Sequence, residues 1–282
     1  MLLGVQVSIS DKIYESIDKA KSLGCNTMQI FSRNPRQWRQ GKLNTKDIEE
    51  FRKRVKDLKI FPVFVHISYL INLASPYNKL YRDSIKAYIE DIKESESLGV
   101  DYIVSHMGNH KKSGEDFGIN RLIEALNIIL DKTKDSNVKI LLENTSGSGS
   151  WLGYKFEHQK EIIDKIENKN RIGICLDTCH AYSAGYDLAK EEGLEDILFQ
   201  IDNLIGLNRL KLIHLNDSKD RLGSKKDRHE DIGKGKIGLE GFRRIINHKK
   251  LRDLPFILET PRKTNSDDIR NLNVIRNLRK GV

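Results

Sequence analysis

The sequence predicts an α/β protein of the (β/α)8 barrel class, and three observations carry that prediction. Eight short β-rich runs alternate with longer amphipathic stretches. Eight such units account for the 282 residues. Six consecutive runs, the third to the eighth, each end in a residue type that ligates metals. Alternating strands and helices imply parallel strands joined by right-handed crossovers. A doubly wound open sheet would show the same alternation, and pattern alone leaves both open. No G-x-G-x-x-G follows the first run, which argues against a dinucleotide-binding sheet.

Leu2–Ser8 (LLGVQVS) is the first strand. Over Ser10–Gly24, Ile13, Ile17, Ala20 and Leu23 recur with helical spacing. Ser10 or Asp11 can cap the start, and Gly24 stands where a helix C-cap belongs. Thr27–Ser32 is the second strand, and Thr45–Leu58 a helix with Ile48, Phe51, Val55 and Leu58 on one face. Pro62–Ser68 precedes a helix over Tyr77–Leu98, and Tyr102–Met107 one over Ile119–Lys132. Lys139–Asn144 precedes Glu157–Glu167, and Arg171–Asp177 precedes Glu195–Ile205. Leu210–Asn216 precedes a short helix over Leu239–Asn247, and Phe256–Glu259 precedes Ser266–Leu278. No linker or composition shift divides the chain, so one domain over residues 1–282 is expected.

Bulk properties exclude several classes. No run approaches the roughly 20 apolar residues that span a bilayer. The N-terminus has neither a basic region nor a small-residue cleavage site, so it does not read as a secretory signal. Three cysteines, an odd number, suit a reducing cytosol. The net charge of +9 hints at a polyanionic partner, although a general Lys bias would give the same number.

The strand-end residues are His66, His106, Glu143, Asp177, His214 and Glu259, spaced by 40, 37, 34, 37 and 45 residues. In a barrel, parallel strands bring these ends to the C-terminal face, where active sites sit. His180 lies three residues past Asp177, and Asp227 and His229 follow the seventh strand. The nine candidates include five of the eight histidines. A set of imidazoles and carboxylates suits Zn, Mn or Fe, and nine donors exceed what one ion takes. Clustered divalent ions suggest hydrolysis at a phosphoryl centre. His110, His158 and His248 fall outside the pattern and are expected at the surface. Cys175 and Cys179 read as buried packing rather than thiolate ligands. Gly233–Gly238 (GKGKIG) does not match a nucleotide-binding phosphate loop.

Five segments carry a family resemblance: His66–Pro76 (HISYLINLASP), Leu142–Gly149 (LENTSGSG), Gly173–Asp187 (GICLDTCHAYSAGYD), His214–Lys219 (HLNDSK) and Gly223–Gly238 (GSKKDRHEDIGKGKIG). With these, the sequence resembles the endonuclease IV family of zinc-dependent apurinic/apyrimidinic endonucleases. The resemblance runs the length of the chain and implies a TIM barrel holding three zinc ions, with Mn or Fe as possible substitutes. It implies that Glu143 bridges two ions. His66 and His106 would complete one site, Asp177, His214 and Glu259 a second, and His180, Asp227 and His229 a third. The implied reaction is hydrolysis of the phosphodiester 5′ to an abasic site in duplex DNA, leaving a 3′-hydroxyl and a 5′-deoxyribose phosphate. Glu143 and Glu259 would be catalytic, with Glu259 orienting the nucleophile. Arg36, Tyr69 and Leu70 would enter the DNA at the lesion. Lys111, Lys112, Lys225, Lys226, Arg228, Lys234 and Lys236 are candidate phosphate contacts. A barrel of this size can act as a monomer. The sequence departs from the family pattern at Ser146, Ser148 and Asp231, none of them an implied ligand. A metal-dependent sugar isomerase or epimerase on a related barrel is the competing reading.

Overall fold

A computed structural model of the chain describes residues 1–31, 33, 34, 37, 38 and 43–279. Its strands are β1 (Leu2–Val7), β2 (Met28–Phe31), β3 (Val63–His66), β4 (Tyr102–His106), β5 (Lys139–Glu143), β6 (Ile172–Asp177), β7 (Leu210–His214), β8 (Asp217–Ser218), β9 (His229–Glu230) and β10 (Pro255–Leu258). Eight of them close a parallel barrel in the order β1-β10-β7-β6-β5-β4-β3-β2. The short β8 and β9 pair separately and antiparallel, in the loop region after β7. The closed ring removes the open-sheet alternative.

The strands sort their side chains by the period of two. Phe64, Val104, Leu141, Cys175, Leu212 and Ile257 form a small apolar cluster, distinct from the larger core between sheet and helices. Each stands two residues before one of the six strand-end candidates, and so shares its face. The same alternation that fills the barrel floor with hydrocarbon therefore points His66, His106, Glu143, Asp177, His214 and Glu259 inward above it. On the remaining two strands the polar interior residues are Gln6 and Gln29, which are register partners.

The helices are α1 (Glu15–Ser22), α2 (Thr45–Leu58), α3 (Asn78–Leu98), α4 (Glu115–Lys132), α5 (Phe156–Lys165), α6 (Thr178–Ala184), α7 (Glu191–Leu204), α8 (Gly238–Asn247) and α9 (Asn265–Leu278). The α2 helix has the expected bounds, and the Asn44 side chain caps it by accepting from the Asp47 N–H at 2.8 Å. The α1 helix is shorter than its periodicity suggested. Tyr14 holds its N-cap position without a side-chain bond, and Ser10, an expected cap, is engaged in a local turn with Ser8. The α4 and α7 helices begin four residues earlier than expected, at Glu115 and Glu191, where acidic first turns complement the helix dipole.

One buried ion pair joins Arg33 to α3. Arg33, on the loop after β2, donates through Nε to Asp91 Oδ1 of α3 at 2.9 Å. It also donates to the carbonyls of Ala87 (3.0 Å) and Trp38 (2.8 Å). Both charged groups are buried, so each depends on the other and on these extra bonds. Among the described residues, no helix is long and apolar enough to cross a membrane.

Candidate metal centre

Five of the nine candidates are the last residues of β3, β4, β5, β6 and β7, and Glu259 stands one residue past β10. His180 sits on α6, a helix the sequence reading did not find, since seven residues are too few to show a period. Asp177 closes β6 and also caps α6, its Oδ1 accepting from the His180 N–H at 2.8 Å. The cap thus orients one candidate ligand with another. Asp227 and His229 are delivered by the β8–β9 hairpin.

The donor atoms gather in overlapping groups, and within each group they lie within 4.8 Å of one another. One group is His66, His106 and Glu143; a second is Glu143, Asp177, His214 and Glu259; a third is His180, Asp227 and His229. Glu143 joins the first two. Its Oε2 lies 3.2 Å from His66 Nε2 and 3.0 Å from His106 Nε2, and its Oε1 lies 3.0 Å from His214 Nδ1. A fourth group pairs Asp177 and His229 with Cys179. Burial pushes that thiol up to about 12, so it keeps its proton, and its S–H faces the Arg228 carbonyl at 3.6 Å.

Three of the imidazoles are oriented as metal ligands are, with one ring nitrogen committed to an acceptor and the other turned to the cluster. Nδ1–H of His66 donates to the Ile67 carbonyl at 2.8 Å, that of His180 to Asn144 at 3.0 Å, and that of His229 to Glu259 at 3.0 Å. Nε2 of His229 is shielded from solvent and has no hydrogen-bond partner. It lies 3.4 Å from Asp227 Oδ1 and 3.9 Å from Asp177 Oδ2. An orphaned imidazole nitrogen facing two carboxylates is what a site shaped around a cation leaves when the cation is removed. The donor set fits divalent ions of the Zn, Mn or Fe type.

The electrostatics agree. Burial disfavours charged imidazoles, but for His180 the carboxylates of Asp177, Asp227 and Glu143 outweigh it and raise the pKa well above the usual value. Burial likewise opposes a charged His214, which Cys175, Glu259 and Glu143 raise well above its usual value. His66 moves in the same direction through Glu143 and Glu259. Burial would raise Glu143, but His106, His214 and His180 hold it well below the carboxylate range. The carboxylates thus favour protonated imidazoles at the cluster, and binding a cation must displace those protons, so metal affinity should rise with pH. Calorimetric zinc titration in buffers of different ionisation enthalpy should show proton release. Affinity constant from about pH 6 to pH 8, with no proton released, would contradict this.

Side chains that sequence reasoning missed hold these donors in place. Asn144 donates to the Asp177 carbonyl at 3.0 Å and accepts from its N–H at 2.7 Å. Asn216 donates to Asp177 Oδ2 at 2.6 Å and accepts from the Glu259 N–H at 2.8 Å. Gln29 contacts Glu259 at 2.6 Å and His214 at 2.9 Å. The Leu-Glu-Asn and His-Leu-Asn strings contained the two asparagines, and their place next to strand-end candidates was the available signal. His158 is corrected. It is buried, accepting from the Gly153 N–H at 3.0 Å and facing Glu115 at 3.2 Å, so it braces the loop after β5. The Gly233–Gly238 segment wraps an internal anion. The N–H groups of Gly233, Gly235 and Ile237 donate to the buried Asp217 carboxylate at 2.9–3.0 Å. A Cβ at Gly235 would stand 2.5 Å from Asp217 Oδ1.

Of the residues expected to enter DNA, Tyr69 and Leu70 are described. Tyr69 is 63% exposed and packs edge-on against Phe31, whose ring also meets His66. Leu70 is half-buried beside it, and Arg36 lies outside the described residues. All seven candidate phosphate contacts are exposed, although Arg228 is paired with Asp220 and Lys234 with Asp231. Lys111, Lys112 and Lys225 adopt left-handed backbone (φ 48°, 70° and 54°). An open groove of about 640 Å³ runs past Glu259, His229, Tyr69, Phe31 and Arg262.

Comparison with known proteins gives the chain its relatives. A family model described as a xylose isomerase-like TIM barrel matches residues 17–278. The chain is 45% identical over 277 residues to the probable endonuclease 4 of Halothermothrix orenii, covering 98% of this chain and 99% of that protein. The crystal structure of endonuclease IV from Thermus thermophilus superposes with a TM-score of 0.88 at 34% identity, over 99% of this chain and 98% of that one. A D-tagatose 3-epimerase-like protein superposes with a TM-score of 0.74 at 18% identity, a likeness of fold alone. By full-length identity and by superposition, the chain belongs to the endonuclease IV family.

Proposed function

We propose that this chain is a DNA-repair endonuclease that hydrolyses the phosphodiester 5′ to abasic sites in duplex DNA, leaving a 3′-hydroxyl and a 5′-deoxyribose phosphate. The observation that carries the reading is the sharing of Glu143 between two donor groups beside a third, all at the mouth of one barrel. Three zinc ions would be held by His66, His106 and Glu143; by Glu143, Asp177, His214 and Glu259; and by His180, Asp227 and His229. Ions bound there would activate water and neutralise charge on the reacting phosphate.

The chain's own groups supply the rest. Glu259 lines the open groove with a side chain 19% exposed, while its Oε1 accepts from Gln29. It is thus the carboxylate best placed to orient the attacking water and take its proton. Tyr69 and Leu70, with Arg36, would fill the gap left by the missing base, where flipping the sugar out costs least. The exposed lysines would track the phosphates, so binding should weaken steeply with salt. The enzyme would act as a monomer in the cytosol.

The direct test uses an end-labelled duplex with one synthetic abasic site. Cleavage 5′ to the lesion, with the undamaged duplex left intact, is the expected result. An intact strand together with turnover of a keto-sugar would instead support the sugar epimerase reading. Tyr69→Ala should weaken binding to the abasic duplex by about 1–3 kcal/mol, the worth of an aromatic stacking contact, and affect the undamaged duplex less. Equal losses on both duplexes in a gel-shift titration would remove Tyr69 from lesion recognition.

A further inference from the structure

Four histidines of the metal centre have an acceptor for the ring N–H that faces away from the cluster. For His66, His180 and His229 it is a backbone carbonyl. For His214 it is a side chain, Gln29, which is fully buried on β2. This strand contributes no metal-ligating residue type.

The geometry fixes which atom does what. Gln29 donates through its amide nitrogen to Glu259 Oε1 at 2.6 Å. The same nitrogen donates to Gln6 Oε1 at 2.8 Å, which uses its second hydrogen. The Gln29 oxygen is then left facing His214 Nε2 at 2.9 Å, and that nitrogen must carry the proton. In the neutral imidazole that a metal requires, the lone pair of His214 would then be on Nδ1, which faces Glu143 Oε1 at 3.0 Å, Glu259 Oε2 at 3.4 Å and Asp177 Oδ2 at 3.9 Å. At His66, His180 and His229 the committed atom is Nδ1, so the opposite nitrogen, Nε2, is available.

From this we infer that Gln29, braced by Gln6, is a positioning residue of the metal centre. One amide holds Glu259 and His214 together and selects Nδ1 of His214 as its ligating atom. Donor residues were recognisable by type; this residue acts on two of them without being a donor itself. The inference rests on the metal reading above, and its tests are separable from it.

The first test needs no substitution. In wild-type protein carrying 15N-histidine and loaded with cadmium-113, the metal should couple to Nδ1 of His214 and to Nε2 of His66, His180 and His229. Coupling to Nε2 of His214 would overturn the inference. The second test compares Gln29→Leu with Gln29→Glu. The leucine variant should bind its weakest zinc about 10–100-fold less tightly and lose about 10–100-fold in kcat, with KM changed by less than about twofold. The glutamate variant keeps an acceptor for His214 but cannot donate to Glu259. It should retain the Nδ1 coupling while losing kcat. Zinc affinity and kcat equal to wild type in both variants would overturn the inference. If neither variant folds, the wild-type coupling pattern decides. If the wild type fails to cut abasic DNA, the proposed reaction falls, while zinc affinity and coupling still judge Gln29.

Discussion

Glu259→Gln is expected to lower cleavage at an abasic site by about 10³-fold, the middle of the range for a positioned acid or base, while metal content and duplex affinity hold. The expectation follows from the contacts of the carboxylate. Gln29 Nε2 donates to Oε1 at 2.6 Å, so the amide of the variant would turn its oxygen to Gln29. Its NH₂ would then occupy the position of Oε2, where a proton acceptor is needed. Three of the four donors in that group, Glu143, Asp177 and His214, remain, so the ion has a site. Single-turnover assays with metal analysis of the same sample measure both quantities. Wild-type rates would remove Glu259 from the mechanism.

Glu143→Gln should do more. Glu143 is buried, and its two oxygens face His66, His106 and His214 at 3.0–3.2 Å, with His180 at 3.5 Å from Oε1. Loss of its charge removes the shared member of two donor groups, so those two ions should be lost and cleavage should fall to background. The metal-free protein should also be destabilised, by about 3–5 kcal/mol, the cost of breaking a buried ion pair. The lowered carboxylate contributes above its unfolded pKa, and that part fades as pH falls through the folded value. The raised histidines contribute below their unfolded pKa, and that part fades as pH rises through theirs. The gap between wild type and variant should therefore be widest near about pH 6, between the ordinary carboxylate and imidazole values. Urea unfolding of the two metal-free proteins at several pH values checks this. A gap unchanged with pH would mean that Glu143 stabilises the fold by something other than its charge.

Much of this architecture was legible because two periodicities coincide. Residues two apart on a strand share a face, so Phe64 and His66, or Leu141 and Glu143, were bound to line the barrel together once eight parallel strands closed. Strand-end donors at one-unit intervals were therefore readable as a site. What stayed hidden was the support. Gln6 and Gln29 each sit inside a β-rich run, where one polar residue carries no periodic signal, and only closure of the ring brings β2 to within reach of β10. The α6 helix was missed because its start is set by the Asp177 cap, not by an apolar stripe. His158 was misplaced at the surface because its partner, Glu115, lies 43 residues away on another helix. The segment Gly233–Gly238, which does not match a nucleotide-binding phosphate loop, nevertheless turns its N–H groups on an anion. That anion is the chain's own Asp217.

The proposed function requires nine side chains to form one metal centre that cuts DNA at abasic sites. It is tested most directly by adding zinc in measured equivalents to chelator-treated protein and following cleavage of an abasic duplex. Cleavage should be absent in the metal-free protein and return fully only as the third equivalent binds. Full cleavage without metal, or none with all three equivalents bound, would contradict the account.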